Sequence, residues 1–199
     1  MTKLAKARKV TSDHITQPVV KLLARTPITP NALTWLGFWL TVGAAVLVVT
    51  DNLFAAGFVV LVAGLFDMLD GALARMTNRV TRFGGILDST LDRISEAVLL
   101  LGILVIYTRG QQVAESLLVG IALLGSLLVS YLRAKIEAMG IECRVGLFTR
   151  PERVIILALG LLLSQFNYAL VIALAIIAFF SFFTVGQRLI YAWRQTRTQ

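Results

Sequence analysis

"DMLDGALARMTNRVTRFGGILDSTLD", Asp67 to Asp92, opens and closes with a pair of aspartates, and apolar sequence adjoins it on both sides. An aspartate at the centre of a membrane-spanning helix costs roughly 2.5–3.5 kcal/mol, so four facing lipid would cost on the order of 10 kcal/mol. Whatever holds this stretch must turn those carboxylates away from acyl chains. At about 100° per residue, Asp67, Asp70, Gly71, Ala74 and Arg75 fall within an arc of roughly 140° on one helix. Gly84, Asp88 and Asp92, spaced by four, line a single stripe on the next. The connection is short, so the two helices are expected to be antiparallel neighbours with their acidic stripes facing each other.

The rest of the chain fits a membrane setting. Its 199 residues are 57% hydrophobic and 15% charged, with a mean hydropathy of +0.81. A soluble domain typically has about 25% charged residues. Apolar runs near the 20 or so residues needed to cross a bilayer recur along most of the length. The expectation is an all-α integral membrane protein, one domain over 1–199, with spans at 31–50, 54–75, 83–107, 113–138, 152–165 and 168–190. Residues 1–26 precede this six-helix bundle (31–190), and they have no continuous apolar core of the signal-peptide kind. Instead Ile15, Val19, Leu22 and Leu23 share one helical face, and Lys21 and Arg25 stand near its end, a pattern suited to an interfacial amphipathic helix. His14 in this segment reads as a surface residue.

The net charge of +8 is explained by its placement. Lys3, Lys6, Arg8, Lys9, Lys21 and Arg25 precede the first span. Arg75, Arg79 and Arg82 flank the second connection, Arg144, Arg150 and Arg153 the fourth, and Arg194 and Arg197 follow the sixth span. The odd connections ("TDN", "TRGQQ", "SQFN") carry only Arg109. This alternation predicts a cell-membrane protein with both termini and the acidic stretch on the cytoplasmic side. It leaves no module for nucleic acid. A lone cysteine, Cys143, allows no internal disulfide. Trp35, Trp39 and Trp193 lie near span ends, where belt anchoring accounts for them.

Four mutually close carboxylates repel and stay ionised only with positive charge among them. Arg75 supplies one unit, and two Mg²⁺ ions would cancel the four. Mg²⁺ favours oxygen ligands and sites that combine a few carboxylates with substrate phosphates. Paired ions about 3.5–4 Å apart clamp phosphorus oxygens in an in-line displacement. Gly71 and Gly84, without side chains, let a bulky ligand approach the backbone. The residues thus read as a metal–phosphate site. A divalent-cation or proton-coupled carrier is the competing class; it gives Arg75 and the other cytoplasmic bases no role.

The pattern D-x2-D-G-x2-A-R-x8-G-x3-D-x3-D is present here without a gap or substitution, and it resembles the signature of the CDP-alcohol phosphotransferases. Six spans, an interfacial helix and cytoplasmic termini are similar to that family along essentially the whole chain. The resemblance implies exchange of the CMP of a CDP-linked alcohol, usually CDP-diacylglycerol, for a second alcohol. It makes Asp67, Asp70 and Asp88 metal ligands, with Asp92 both near the metals and the general base. Gly71, Arg75 and Thr81 would contact the CDP group, as would "NALT" (Asn31, Ala32, Leu33, Thr34). The cofactor implied is Mg²⁺, two ions, with Mn²⁺ as the alternative, and the assembly implied is a homodimer.

The acceptor is read from the last third. Arg133, Lys135, Arg153 and Arg188 are expected to converge on an anion, because arginine and lysine pair strongly with phosphate. Arg188 carries the clearest signal, since it lies before its helix ends and follows the apolar "FFSFFTV". "LDSTLDR", "RPER" and "GQRL" are similar to family members that use inositol phosphate; glycerol 3-phosphate, or the same acceptor with a CDP-archaeol donor, are the alternatives. Glu96 extends the Asp88–Asp92 stripe by one turn, as a supporting group or a partner for Arg93.

Overall fold

The computed structural model describes residues 17–197, so Ile15, His14 and the four basic residues up to Lys9 lie outside the described residues. Among those described, every regular element is a helix: α1 at 17–23, then α2 (Pro30–Val49), α3 (Leu53–Met76), α4 (Arg82–Arg109), α5 (Val113–Ala138), α6 (Arg150–Leu162) and α7 (Ala169–Arg197). The expected boundaries hold within a few residues, except that α7 runs seven residues further and α6 ends three earlier.

Four helices, α2, α3, α5 and α7, are long and apolar enough to cross a membrane. The other two fall short of the six expected, for different reasons. α4 carries Asp88, Asp92, Arg93 and Glu96 along its first half. α6 has 13 residues, about 20 Å of helix against a hydrocarbon core of about 30 Å.

Helix ends explain the tight connections. Asp51, Asn78 and Gln111 have φ of 61°, 53° and 55°, and the residue after each donates back across the turn. Asn52 N–H reaches Leu47 O at 2.9 Å, Arg79 N–H reaches Ala74 O at 3.0 Å, and Gln112 N–H reaches Tyr107 O at 2.9 Å. This left-handed closure satisfies terminal carbonyls and reverses the chain within a few residues. Arg109, the lone base of the odd connections, donates from Nη1 to Val49 O at 3.0 Å, a cation on the C-terminal carbonyls of α2.

The chain divides into two compact units, one made of the described residues up to Leu40 with Val62–Asp92, the other of Thr41–Leu61 with those from Arg93 onward. The first unit has a small core of Val20, Leu33 and Leu73, against which Leu23, Ala24, Phe66, Leu69 and Ala72 pack. Here α1 differs from the expected face: Val20 is buried while Val19 and Leu22 are exposed. An amphipathic stripe at the interface has two apolar neighbours, protein and lipid, so its sequence pattern does not say which residues meet which.

The second unit holds the larger core, including Val48, Val60, Ile103, Val119, Leu161 and Ile177, and α7 packs on both α5 and α6. Small residues set its closest approaches, as membrane helix packing requires. A Cβ on Gly57 would stand 2.9 Å from Ala158 O, and one on Gly160 would stand 2.5 Å from the Ala173 Cβ. α6 begins at a capping box, in which the Glu152 carboxylate accepts the Thr149 N–H at 2.9 Å. The α5–α6 loop is strapped along α7. Phe148 N–H donates to Thr184 Oγ1 at 3.2 Å, Leu147 N–H to Gln187 Oε1 at 3.2 Å, Arg188 Nε to Val145 O at 3.0 Å, and Tyr191 Oη to Glu142 O at 3.0 Å.

Candidate functional site

The first unit contains a cavity of about 290 Å³ at the junction of α2, α3 and α4. Its walls are Pro30, Asn31 and Thr34 from α2, Asp70, Gly71, Ala74 and Arg75 from α3, and Gly84, Gly85 and Asp88 from α4. Arg79, Val80 and Thr81 of the connection complete it. The spacing rule works here because an i, i+3, i+4 set on one helix faces one side.

Asp70 is the pivot. It is 4% exposed, and its Oδ2 accepts the Thr34 hydroxyl at 2.7 Å, while its Oδ1 accepts the Gly71 N–H. Both donors are neutral, so the carboxylate is held without its charge being cancelled. Two other carboxylates, Asp88 and Asp67, act on it electrostatically. Across the cavity, Thr81 caps α4: its Oγ1 accepts the Gly84 N–H at 2.9 Å. Gly84 and Gly85 of the first turn of α4 line the cavity, and Thr81 also accepts the Gly85 N–H at its carbonyl, at 3.2 Å. Gly84 has no room for a side chain there, since a Cβ would lie 2.9 Å from Thr81 Oγ1 and 3.2 Å from Asn31 Oδ1. Arg75 Nη1 lies over Gly71, 3.3 Å from where a Cβ would be.

Several of the expected residues stand elsewhere. Leu33 belongs to the small core and Ala32 is exposed; neither lines the cavity. The helix that brings Asn31 and Thr34 inward turns the two intervening residues away. Asp67 and Asp92 are half-buried and outside the cavity lining. The Asp67 Oδ1 lies 3.0 Å from the Cβ position of Gly37 on α2. Among the described residues, no three carboxylate, histidine or cysteine side chains form a ready-made metal cage. Two carboxylates with hydroxyl and amide oxygens remain as the donor set. Pro30, Arg79, Val80 and Gly85 line the cavity outside the expected set. The charge of Arg79 is accounted for by topology alone, and helix periodicity gives no signal for a loop residue.

In the second unit the four expected bases fare differently. Arg133 is exposed and paired with Glu137, one turn along α5, at 2.9 Å; Lys135 is exposed. Arg188 is 3% exposed and donates from Nε to Val145 O and from Nη1 to Val129 O. Arg133 and Arg153 are among its charged neighbours. Arg153 is 1% exposed, and it meets Glu96 with two bonds, Nε to Oε1 at 2.6 Å and Nη2 to Oε2 at 2.8 Å. Glu96 therefore pairs with Arg153, 57 residues away.

Known proteins resemble the chain over most of its length. The sequence profile described as CDP-alcohol phosphatidyltransferase matches residues 27–185. The chain is 39% identical over 189 residues to the phosphatidylinositol phosphate synthase of Mycobacterium marinum, covering 90% of this chain and 80% of that protein. It is 37% identical over 176 residues to the archaetidylinositol phosphate synthase of Methanothermobacter thermautotrophicus, 87% of each. The corresponding Pyrococcus horikoshii protein is 40% identical over 169 residues, 84% of this chain and 85% of its own. The crystal structure of Mycobacterium tuberculosis phosphatidylinositol phosphate synthase with CDP-DAG bound has a TM-score of 0.82 at 37% identity, covering 90% of this chain and 94% of that one. The same enzyme in complex with manganese and citrate also gives 0.82 at 37%, with 89% and 88% covered. With the profile running from Pro27 to Val185 and solved relatives this similar, the chain belongs to the CDP-alcohol phosphatidyltransferase family and is a multi-pass membrane enzyme.

Proposed function

We propose that the enzyme transfers the phosphatidyl group of CDP-diacylglycerol to 1D-myo-inositol 3-phosphate, releasing CMP and forming phosphatidylinositol phosphate. One observation carries this reading: Asn31, Thr34, Asp70, Gly71, Arg75, Thr81, Gly84 and Asp88 all line a single cavity. The relative bound to CDP-DAG supports the donor, and the names of the bacterial relatives support the acceptor.

In this reading Asn31, Thr34, Gly71, Arg75 and Thr81 hold the CDP group, with Gly84 and Gly85 leaving room beside it. Asp67, Asp70, Asp88 and Asp92 serve two Mg²⁺ ions, with Mn²⁺ as the alternative that the manganese complex of the relative favours. The donor set fits such ions, because Mg²⁺ is commonly bound by one or two carboxylates plus substrate phosphates and water rather than by an all-protein cage. When bound, the metal withdraws charge from the pyrophosphate. Arg75, whose Nη1 lies over Gly71, holds the same group. Asp92 takes the proton from the acceptor hydroxyl as its oxygen attacks the β-phosphorus. The bond from that phosphorus to the bridging oxygen breaks, and CMP leaves as an anion. Arg133, Lys135, Arg153 and Arg188 recognise the acceptor phosphate. The enzyme sits in the cell membrane as a homodimer of six-span subunits, with termini and site on the cytoplasmic side.

A second reading keeps the acceptor and replaces the donor by CDP-archaeol; the archaeal relatives, as similar as the bacterial ones, favour it. The test supplies purified enzyme and Mg²⁺ with either CDP-lipid, and with labelled inositol phosphate or glycerol 3-phosphate. CMP release with inositol phosphate and CDP-diacylglycerol is expected; turnover restricted to glycerol 3-phosphate would overturn the acceptor, and turnover restricted to CDP-archaeol the donor. Asp92→Asn is expected to abolish turnover while CDP binding, followed by calorimetry, survives. Full activity in that variant would remove Asp92 as the base.

A further inference from the structure

The Arg153–Glu96 pair carries an inference that rests on the acceptor reading above and deepens it. Arg153 is 1% exposed and Glu96 9%, and two parallel bonds of 2.6 and 2.8 Å join one edge of the guanidinium to both carboxylate oxygens. A pair of this kind fixes the guanidinium plane as well as its position. It does not satisfy the whole group: the Arg153 Nη1 is buried and finds no hydrogen-bond acceptor among the described residues. The carboxylate beside it in sequence, Glu152, is committed to the Thr149 N–H. An orphaned donor on a buried, permanently charged group is costly and calls for a partner, such as a water, an ion or a ligand oxygen.

The neighbouring arginine sharpens the point. Arg188 is held by two carbonyls, Val145 O and Val129 O, which orient it and leave its charge intact. Arg153 is oriented by a full negative charge. What Arg153 offers a ligand is therefore a directed pair of N–H bonds at Nη1, and what Arg188 offers is chiefly charge.

We propose that Glu96 is a positioning residue for the acceptor: it clamps the Nε/Nη2 edge of Arg153 so that Nη1 is presented to a phosphate oxygen of the incoming phosphorylated alcohol.

The experiment uses the full chain in lipid–detergent micelles with Mg²⁺, CDP-diacylglycerol and inositol phosphate, and inorganic phosphate as a competitive probe. Arg153→Ala, Glu96→Gln and Glu96→Asp are compared. Glu96→Gln is expected to raise the acceptor KM and the phosphate inhibition constant together, by about tenfold or more, with the CDP-diacylglycerol KM changed by less than about twofold. Glu96→Asp restores the carboxylate one methylene short and is expected to fall between; if Glu96→Gln does not fold, this variant alone decides by the same readout. Should Arg153→Ala raise the acceptor KM while neither Glu96 variant does, the positioning role is wrong and the acceptor reading stands. Should Arg153→Ala leave the acceptor KM unchanged, both fall. A drop in kcat with every KM unaltered would mark the pair as structural and overturn the proposal.

Discussion

The two units each bury ionisable groups, and they do so in opposite ways. In the first, the buried Asp70 accepts from a hydroxyl and a backbone N–H, neither of which brings a counter-charge, and it faces a cavity. In the second, one edge of the buried Arg153 is paired with a carboxylate, so its charge is countered and its geometry fixed. Holding a charge with neutral dipoles prepares it for an ion; holding it with a counter-charge prepares it for directional hydrogen bonding. The first arrangement suits metal ions and pyrophosphate, the second recognition of one particular phosphate. The energetic stakes also differ. Removing one partner of a buried ion pair typically costs about 3–5 kcal/mol because the other is stranded, whereas losing a hydroxyl to a carboxylate costs about 1.5–3 kcal/mol.

The contrast can be broken at several points. Asp88→Asn keeps the cavity's shape while removing one of its two carboxylates, and turnover at saturating Mg²⁺ is expected to fall by about 10³-fold or more; retained activity, measured as CMP release, would mean that charge in the first unit is not what matters. Thr34→Val is isosteric and deletes the 2.7 Å bond to Asp70; a loss of about 10- to 100-fold in kcat/KM for CDP-diacylglycerol is expected, with the acceptor KM steady. Gly84→Ala forces a methyl to within 2.9 Å of Thr81 Oγ1, and the expected outcome is a rise of about tenfold in the CDP-diacylglycerol KM; unchanged kinetics would show that the ligand does not approach this turn. Arg109→Gln is the control outside both sites. It removes a bond to a helix C-terminal carbonyl and should lower stability by about 0.3–1 kcal/mol, seen as a small Tm shift with kinetics intact.

How much of this could be read in the sequence follows from how far apart the partners lie. The helices were legible because apolar runs and short polar connections mark them, and the cavity because aspartates and glycines three or four apart mark one face on each of two successive helices. Thr34 and Asp70 are 36 residues apart; a short stretch at the start of the first span placed Thr34 near the site, yet nothing in it singled out which of its residues turn inward. Arg153 and Glu96 are 57 apart and on different helices, and no local pattern links them. The left-handed turns were illegible for another reason: Asp51, Asn78 and Gln111 stand where glycine would have announced the closure.

The strap between the α5–α6 loop and α7 has its own consequence. Thr184, Gln187, Arg188 and Tyr191 form one face of a helix, and that face supplies the hydrogen bonds the loop backbone lacks. Gly146 completes the fit, since a Cβ there would press on Thr184 Cγ2 at 2.9 Å and Arg188 Nη2 at 3.1 Å. Loop and helix face are therefore a single exchangeable cassette. A chimaera that borrows α7 from a relative without residues 142–148 would sever four bonds at once, whereas one that transplants both would carry its arginine across already aimed.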